Sequence, residues 1–433
     1  MNVPSESAAS NGLTRPRRVV ITGIGAITPL GIGKDALWCG VRRGESAVGP
    51  VTRFDASSFA TRIAAEVNDF DVLDYMDARQ ARRLDRYAQF SLATAQLALA
   101  DAAYDLAGEA PHEVGVYMGS ALGGMGFAEE QHRNFIADGL HAVHPLLALA
   151  VFGAASSSNI AIAFGATGPN LTNANSCASG AIAVGEAFRL IKAGGATTVL
   201  AGGIEAPLAP LTFGSFALIR AMSTRNDDPA HASRPFDRDR DGFVMAEGAA
   251  ILILEELGHA LRRGARIYAE IVGYGISNDA HHMTAPLPTG RQAAHTIRAA
   301  LREAGIAPEA IGYVNAHASS TVLNDRTETL AIKDALGAHA GHVPVSGTKA
   351  LHGHALGATG AIEAAICALA IEQSFLPVSA NLDNPAADCD LAHIRGAGLE
   401  YAADYVLSNS FGFGGINAAL VFARYRAEDM PAD

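Results

Sequence analysis

The chain has 433 residues, 49% of them hydrophobic and 18% charged, with a formal net charge of −12. At roughly 150 residues per domain this length suggests two or three domains and a large core, and the composition excludes a disordered chain. The acidic balance argues against a nucleic-acid binder, whose surfaces are basic, and no apolar run of about 18 residues is read, so no membrane-spanning helix is expected.

Residues 1–16 carry Ser, Asn and Pro without the apolar h-region of a signal peptide, and read as a disordered tail. Structure is expected from Arg17. The run Val19-Val20-Ile21-Thr22 ending in Gly23-Ile24-Gly25 reads as a short buried strand closed by a tight turn. From Arg82 to Leu106 the apolar spacing is helical. Val114–Met118, Thr198–Ala201 and Ala249–Glu255 read as buried strands, and Ser179–Ile191 as a helix of small residues. Strands alternating with helices at this spacing predict an α/β fold with mostly parallel sheets. The opening strand and Gly turn are echoed at Ala269–Gly275, and the closing Gly248–Leu254 is echoed at Gly414–Phe422. A duplicated unit follows, with halves at 17–265 and 266–425 and a tail at 426–433.

Cys39, Cys177, Cys367 and Cys389 make no CxxC pair, which points away from disulfides and zinc knuckles and towards a reducing cytosol. Cys177 stands out because polar turn formers precede it and the Ser179 helix follows. A helix N-terminus favours an anion and lowers a thiol pKa, so a nucleophilic thiolate is expected there. The other three are expected in packing positions. His317 follows the short strand Gly312–Val314, and His354 lies between the strand Val343–Ser346 and the helix Ala361–Ile371. A thiol and two imidazoles at strand-to-helix junctions suit acyl transfer. The stretch Asn409–Asn417 is Gly-rich and can bring backbone N–H groups against a developing oxyanion.

Other patterns carry less. Gly23-Ile24-Gly25 lacks the third Gly of a dinucleotide fingerprint. Asp237, Asp239 and Asp241 begin like a calcium loop, but Gly248 stands where a bidentate Glu is needed. A turn salt-bridged by Arg234, Arg238 and Arg240 is the preferred reading. The pairs His281-His282 and His352/His354 have no second ligand set nearby, so no metal is expected.

Together these residues resemble an elongating β-ketoacyl-[acyl-carrier-protein] synthase, from about Arg18 to Arg424. The motifs are Ser-Cys-Ala-Ser-Gly at Cys177, Asn-Ala-His at His317, Lys349 to His354 within Thr-Lys-Ala-Leu-His-Gly-His-Ala-Leu-Gly-Ala, and Phe-Gly-Phe-Gly-Gly from Phe411. Pro235–Gly248 and Ser277–Thr284 share the likeness. The resemblance implies the thiolase fold, two similar halves in five αβαβα layers. It implies that Cys177 carries the acyl chain and that His317 and His354 hydrogen-bond the malonyl thioester oxygen. It implies an oxyanion hole from the N–H groups of Cys177 and Phe413, and a structural Lys349 with Glu328 and Glu363 as ionic partners. Ser319 and Thr321 would contact the pantetheine arm, and Leu122 and Phe413 would gate an acyl tunnel. Arg79, Arg82, Arg83 and Arg220 would dock the acyl carrier protein. No redox cofactor or metal is implied, and the family pairs as a dimer through Gly168–Asn173.

The sequence departs from the common pattern. Asn-Ser precedes Cys177 where Thr-Ala is usual. Ala-Ser-Ser-Thr follows His317 where Gly-Thr-Ser-Thr is usual. His352 replaces a Thr, and His141-Ala142 replaces a basic docking pair. These changes leave a specialised polyketide or polyene synthase open beside a fatty-acid enzyme, and a related partner subunit open beside an identical one. A non-catalytic chain-length-factor subunit would lack the nucleophile. A thiolase would carry a second Cys where Ser410 and Phe411 stand.

Overall fold

The computed structural model describes residues 17–427. The expected tail 1–16 and residues 428–433 of the second expected tail lie outside them. In chain order the main elements are β1 (Val19–Thr28), α1 (Arg86–Asp101), β2 (Val114–Gly119), α2 (Ala155–Phe164), β3 (Asn170–Asn173), α3 (Ser179–Lys192), β4 (Thr198–Glu205) and β5 (Gly248–Glu256). There follow β6 (Ala269–Asn278), α4 (Arg291–Ala304), β7 (Ile311–Asn315), α5 (Val322–Leu336), β8 (Pro344–Ser346), α6 (Thr359–Gln373), β9 (Ala392–His393), β10 (Tyr405–Gly412) and β11 (Ile416–Ala423).

The first strand does not turn at Gly23–Gly25 but runs through to Thr28. The glycines serve packing. A Cβ on Gly23 would lie 2.5 Å from the Ala98 carbonyl oxygen, and one on Gly25 2.2 Å from that of Thr94, both on α1. The second half repeats the device. A Cβ on Gly273 of β6 would lie 2.2 Å from the Ala300 carbonyl oxygen of α4, and one on Gly275 2.1 Å from that of Thr296. Helix α1 is shorter than its apolar pattern, because Asp85 caps it by accepting the Ala88 N–H at 3.0 Å. Arg82 and Arg83 fall in the turn before it, after the single helical turn Ala78–Ala81.

The strands run β9-β8-β7-β10-β11-β6-β1-β5-β4-β2-β3. The pairs β2/β3, β2/β4, β7/β8, β7/β10 and β8/β9 are parallel. The inner strands are antiparallel, which corrects the mostly parallel expectation to a mixed one. In each half the closing strand runs back between the opening strand and the parallel set. Strand to strand, the halves join where Val19–Ile21 pairs with Ala269–Ile271.

Five layers result. Helices α1 and α2 cover one outer face, with Phe90, Leu99 and Ile160 buried there. Helices α4 and α5 cover the other, with Ile297, Leu301 and Ile332. Helices α3 and α6 fill the space between the sheets with Val184, Phe188, Ile362 and Ile366. Lying between two sheets, α6 is buried from Thr359 to Ile371 on every side. Its segment Leu356–Gln373 is after all long and apolar enough to cross a membrane, with mean hydropathy 1.2, but 89% of it is buried in the core. An all-round apolar helix is what a central layer requires.

Candidate active site

Edge strand β3 delivers the chain to Ser176, held at φ 52°. One 3-10 turn, Ser176–Ala178, then sets Cys177 just ahead of α3. The thiol is 7% exposed. Burial pushes it above its ordinary value, while the Ser176 hydroxyl 3.8 Å away, the charge of Lys349 and the Phe413 N–H pull it down. The helix start therefore does not leave a resting thiolate as expected; desolvation outweighs it.

Both histidines are buried. Burial, then the Lys349 charge, hold each well below the usual imidazole range, so both are neutral at physiological pH. Their rings stand 5.5 Å apart at 84°. His354 is fixed by its N–H to the Val244 carbonyl at 2.8 Å, and its Nδ1 lies 3.0 Å from the Thr359 hydroxyl. His317 is fixed through its backbone. Its N–H and that of Ala318 donate to the two oxygens of Glu328, both at 2.7 Å, and its carbonyl accepts from Lys349 Nζ. Lys349 also pairs with Glu363 at 2.6 Å. Glu328 is thus not an ionic partner of Lys349. It is a backbone clamp, held in turn by the Asn409 amide at 3.2 Å, and burial pushes it up to about 7.

Cys177, His317 and His354 line one cavity of about 290 Å³, with Ser319, Thr321 and Phe413. Thr321 also caps α5 by accepting the Asn324 N–H at 3.2 Å. The Phe413 ring stacks on Phe216 at 6.4 Å. Arg220 sits at the mouth among exposed Ile219, Met283, Val322 and Leu323. Leu122 does not line this cavity. It belongs to the apolar cluster that adjoins it, with Cys177, Phe213, Phe243 and Leu356. Arg79, Arg82 and Arg83 are exposed and stand away from the cavity lining.

The other candidates resolve simply. Asp237 accepts backbone N–H groups of Asp239, Asp383 and Asn384 and pairs with Arg234 at 3.2 Å. Arg238 pairs with Asp239 at 3.5 Å, but Arg240 reaches out of the turn to Asp325 at 3.7 Å. His281 and His282 are exposed. Cys367 and Cys389 are buried as expected, but Cys39 is exposed. Sequence reasoning missed Glu205, fully buried at the end of β4 beside this site. The signal was available: it is the one charge in Thr198–Glu205, at the strand end where α/β folds gather functional groups.

Two similar βα halves around central helices, with a thiol, two neutral imidazoles and inward N–H groups at their junction, define a thiolase-fold acyltransferase. The description "Beta-ketoacyl synthase, N-terminal domain" matches residues 16–260 and "Beta-ketoacyl synthase, C-terminal domain" residues 268–383. The chain belongs to the β-ketoacyl synthase family. A 3-oxoacyl-[acyl-carrier-protein] synthase 2 from Synechocystis sp. is 46% identical over 410 residues, covering 95% of this chain and 99% of that one. The ketosynthase of a type II polyketide synthase, solved with its acyl-carrier protein, superposes with a TM-score of 0.88 at 34% identity, over 95% of this chain and 100% of that one. The ishigamide ketosynthase/chain length factor superposes with a TM-score of 0.89 at 34% identity and the same coverage.

Proposed function

We propose that this chain condenses a carrier-bound acyl group with malonyl-acyl carrier protein to give a 3-oxoacyl product. The observation that carries this reading is the convergence of Cys177, His317 and His354 on one buried cavity. Cys177 Sγ attacks the acyl thioester and the carrier's pantetheine thiol leaves, so the acyl chain rests on the enzyme. The N–H groups of Cys177 and Phe413 hold the oxyanion. Malonyl-carrier protein enters next, its arm passing Ser319 and Thr321. With the Thr359 hydroxyl donating to His354 Nδ1, the ring proton sits on Nε2, free to face the malonyl thioester oxygen. His317 Nε2 faces the same oxygen. As the carboxyl leaves as carbon dioxide, the bonding pair becomes an enolate held by these two donors. Its α-carbon attacks the Cys177 thioester, and Sγ departs to restart the cycle. Neutral donors suit this work, because a cationic imidazole would favour the malonyl carboxylate and oppose its loss. Decarboxylation drives the step, so the reaction asks for no redox cofactor or metal.

Several finer readings go with it. The halves divide near residue 265. Arg79, Arg82, Arg83 and Arg220 dock the acidic carrier, and cysteine usage suits the cytosol. The chain pairs as a dimer, supported by edge strand β3, which has β2 on one side only, by exposed Leu171 (41%) on that strand and by exposed Ile162 (82%) on α2, which packs against it. The partner is an identical chain, or a related subunit of the kind named in the ishigamide relative.

Intact-mass analysis of the chain expressed alone, after offering acyl-carrier proteins, tests the reading. One acyl adduct is expected on wild type and none on Cys177→Ala. His317→Ala and His354→Ala should each slow carbon dioxide release by about 10²–10³. An adduct that survives in Cys177→Ala would sink the assignment, and an adduct that forms only with a related subunit present favours the heterodimer.

A further inference from the structure

Glu205 is fully buried, and its four hydrogen-bond donors are neutral. One carboxylate oxygen accepts the Ser120 hydroxyl at 3.0 Å and the Leu122 N–H at 3.1 Å. The other accepts the Ala121 N–H at 2.7 Å and the Gly357 N–H at 2.9 Å. Burial pushes this carboxyl up to about 7 against those donors. A buried carboxyl without a cation is costly, so the tie it makes needs explaining.

The tie joins two loops far apart in sequence, the one leaving β2 and the turn Leu356–Ala358 that leads into α6. The second of them is strained. Leu356 sits at φ 41°. The loops touch so closely that a Cβ on Gly357 would lie 2.4 Å from the Ala121 nitrogen. Each loop carries a leucine, Leu122 or Leu356, into the apolar cluster that holds Cys177. The anchors of His354, the Val244 carbonyl and the Thr359 hydroxyl, do not involve Glu205.

We propose that Glu205 is a positioning residue for acyl transfer: its carboxylate fixes the spacing of Leu122 and Leu356, the two side chains between which the acyl chain leaves Cys177. It acts through those loops and touches no reacting atom. This inference rests on the proposed role of Cys177 and adds a division of labour, with Glu205 serving the acylation half-reaction and chain-length choice while the histidine pair serves decarboxylation.

The test compares two half-reactions in one protein. Glu205→Gln keeps size but sets an NH₂ group against backbone N–H donors, either Leu122 alone or Ala121 with Gly357, and so weakens the tie. Cys177 acylation is followed by mass with short and long acyl-carrier donors, and carbon dioxide release from malonyl-carrier protein is measured beside it. We expect long-chain acylation to fall about tenfold or more, short-chain acylation less, and carbon dioxide release within about twofold of wild type. Ser120→Ala removes one of the four donors and should skew the same ratios less. It carries the comparison if Glu205→Gln does not fold. Equal loss in both half-reactions, or equal loss for short and long donors, overturns the proposal. Failure of the underlying reading would show separately, as no acyl adduct on Cys177 in wild type.

Discussion

His352 stands where the family commonly has a threonine, and it gives a measurable signature in stability. It is fully buried on the turn Lys349–His352, with Nε2 3.2 Å from the Thr348 hydroxyl and Nδ1 without a partner. Burial, then the charge of Lys349, press its pKa down to about 3. The unfolded chain would titrate near 6.5. Between those values the unfolded state holds a proton that the folded state refuses. The neutral ring's contribution to stability is therefore whole above about pH 6.5 and is lost as pH falls towards 3. The loss is about 1.4 kcal/mol per pH unit, or about 2 kcal/mol between pH 6.5 and 5. Glu205, Glu328 and Glu363, all pushed up to about 7, work against this by taking protons first in the folded state. The wild-type curve alone is thus uninformative, and the difference from His352→Thr isolates the one ring. The cavity left by the smaller side chain adds a penalty that does not depend on pH. Urea unfolding at about pH 7.5 and about pH 5 should show the variant gaining about 2 kcal/mol on wild type at the lower pH. Parallel stabilities at the two pH values would refute the reasoning.

The buried Lys349–Glu363 pair makes a second prediction. Lys349→Ala leaves Glu363 buried without its cation and should cost about 3–5 kcal/mol in denaturant unfolding. Replacing both, as Lys349→Met with Glu363→Leu, should recover most of that stability but not carbon dioxide release, because the His317 carbonyl has lost its donor; a double variant as unstable as the single would count against this. For docking, charge reversal at Arg82 and Arg83 should raise the apparent KM for carrier substrates, and added salt should weaken wild-type binding. An unchanged KM in both variants would move the docking face elsewhere.

Much of the fold was legible because hydrophobic period and glycine placement are local. The buried strands and the helix after Cys177 follow from runs and spacing alone. The Gly23–Gly25 strand was misread because a glycine pair reads as a turn when the helix resting on it, α1, is some 70 residues away in sequence. Helix α1 began late because one side chain, Asp85, decides its start, and apolar spacing does not register caps. At the site, residue type and junction position pointed to Cys177, His317 and His354. Which carboxylate clamps which group was not legible, since Glu328 grips a backbone and Glu363 grips Lys349 through tertiary contacts. The thiol's acidity was misjudged for the same reason: a helix start is visible in sequence, whereas the apolar cluster that buries Cys177 is assembled from distant segments.

The four in-strand glycines also limit how this protein can change. At Gly23, Gly25, Gly273 and Gly275 a strand and a helix touch backbone to backbone, so no side chain stands between them to be exchanged. A single methyl there would have to lift α1 or α4 bodily from its sheet. Drift by swapping core residues, open to most packed seams, is closed at these two. New substrate ranges in this scaffold have to be written in the segments that rim the cavity, such as those carrying Ile219, Leu356 and Phe413, while the outer helices stay docked.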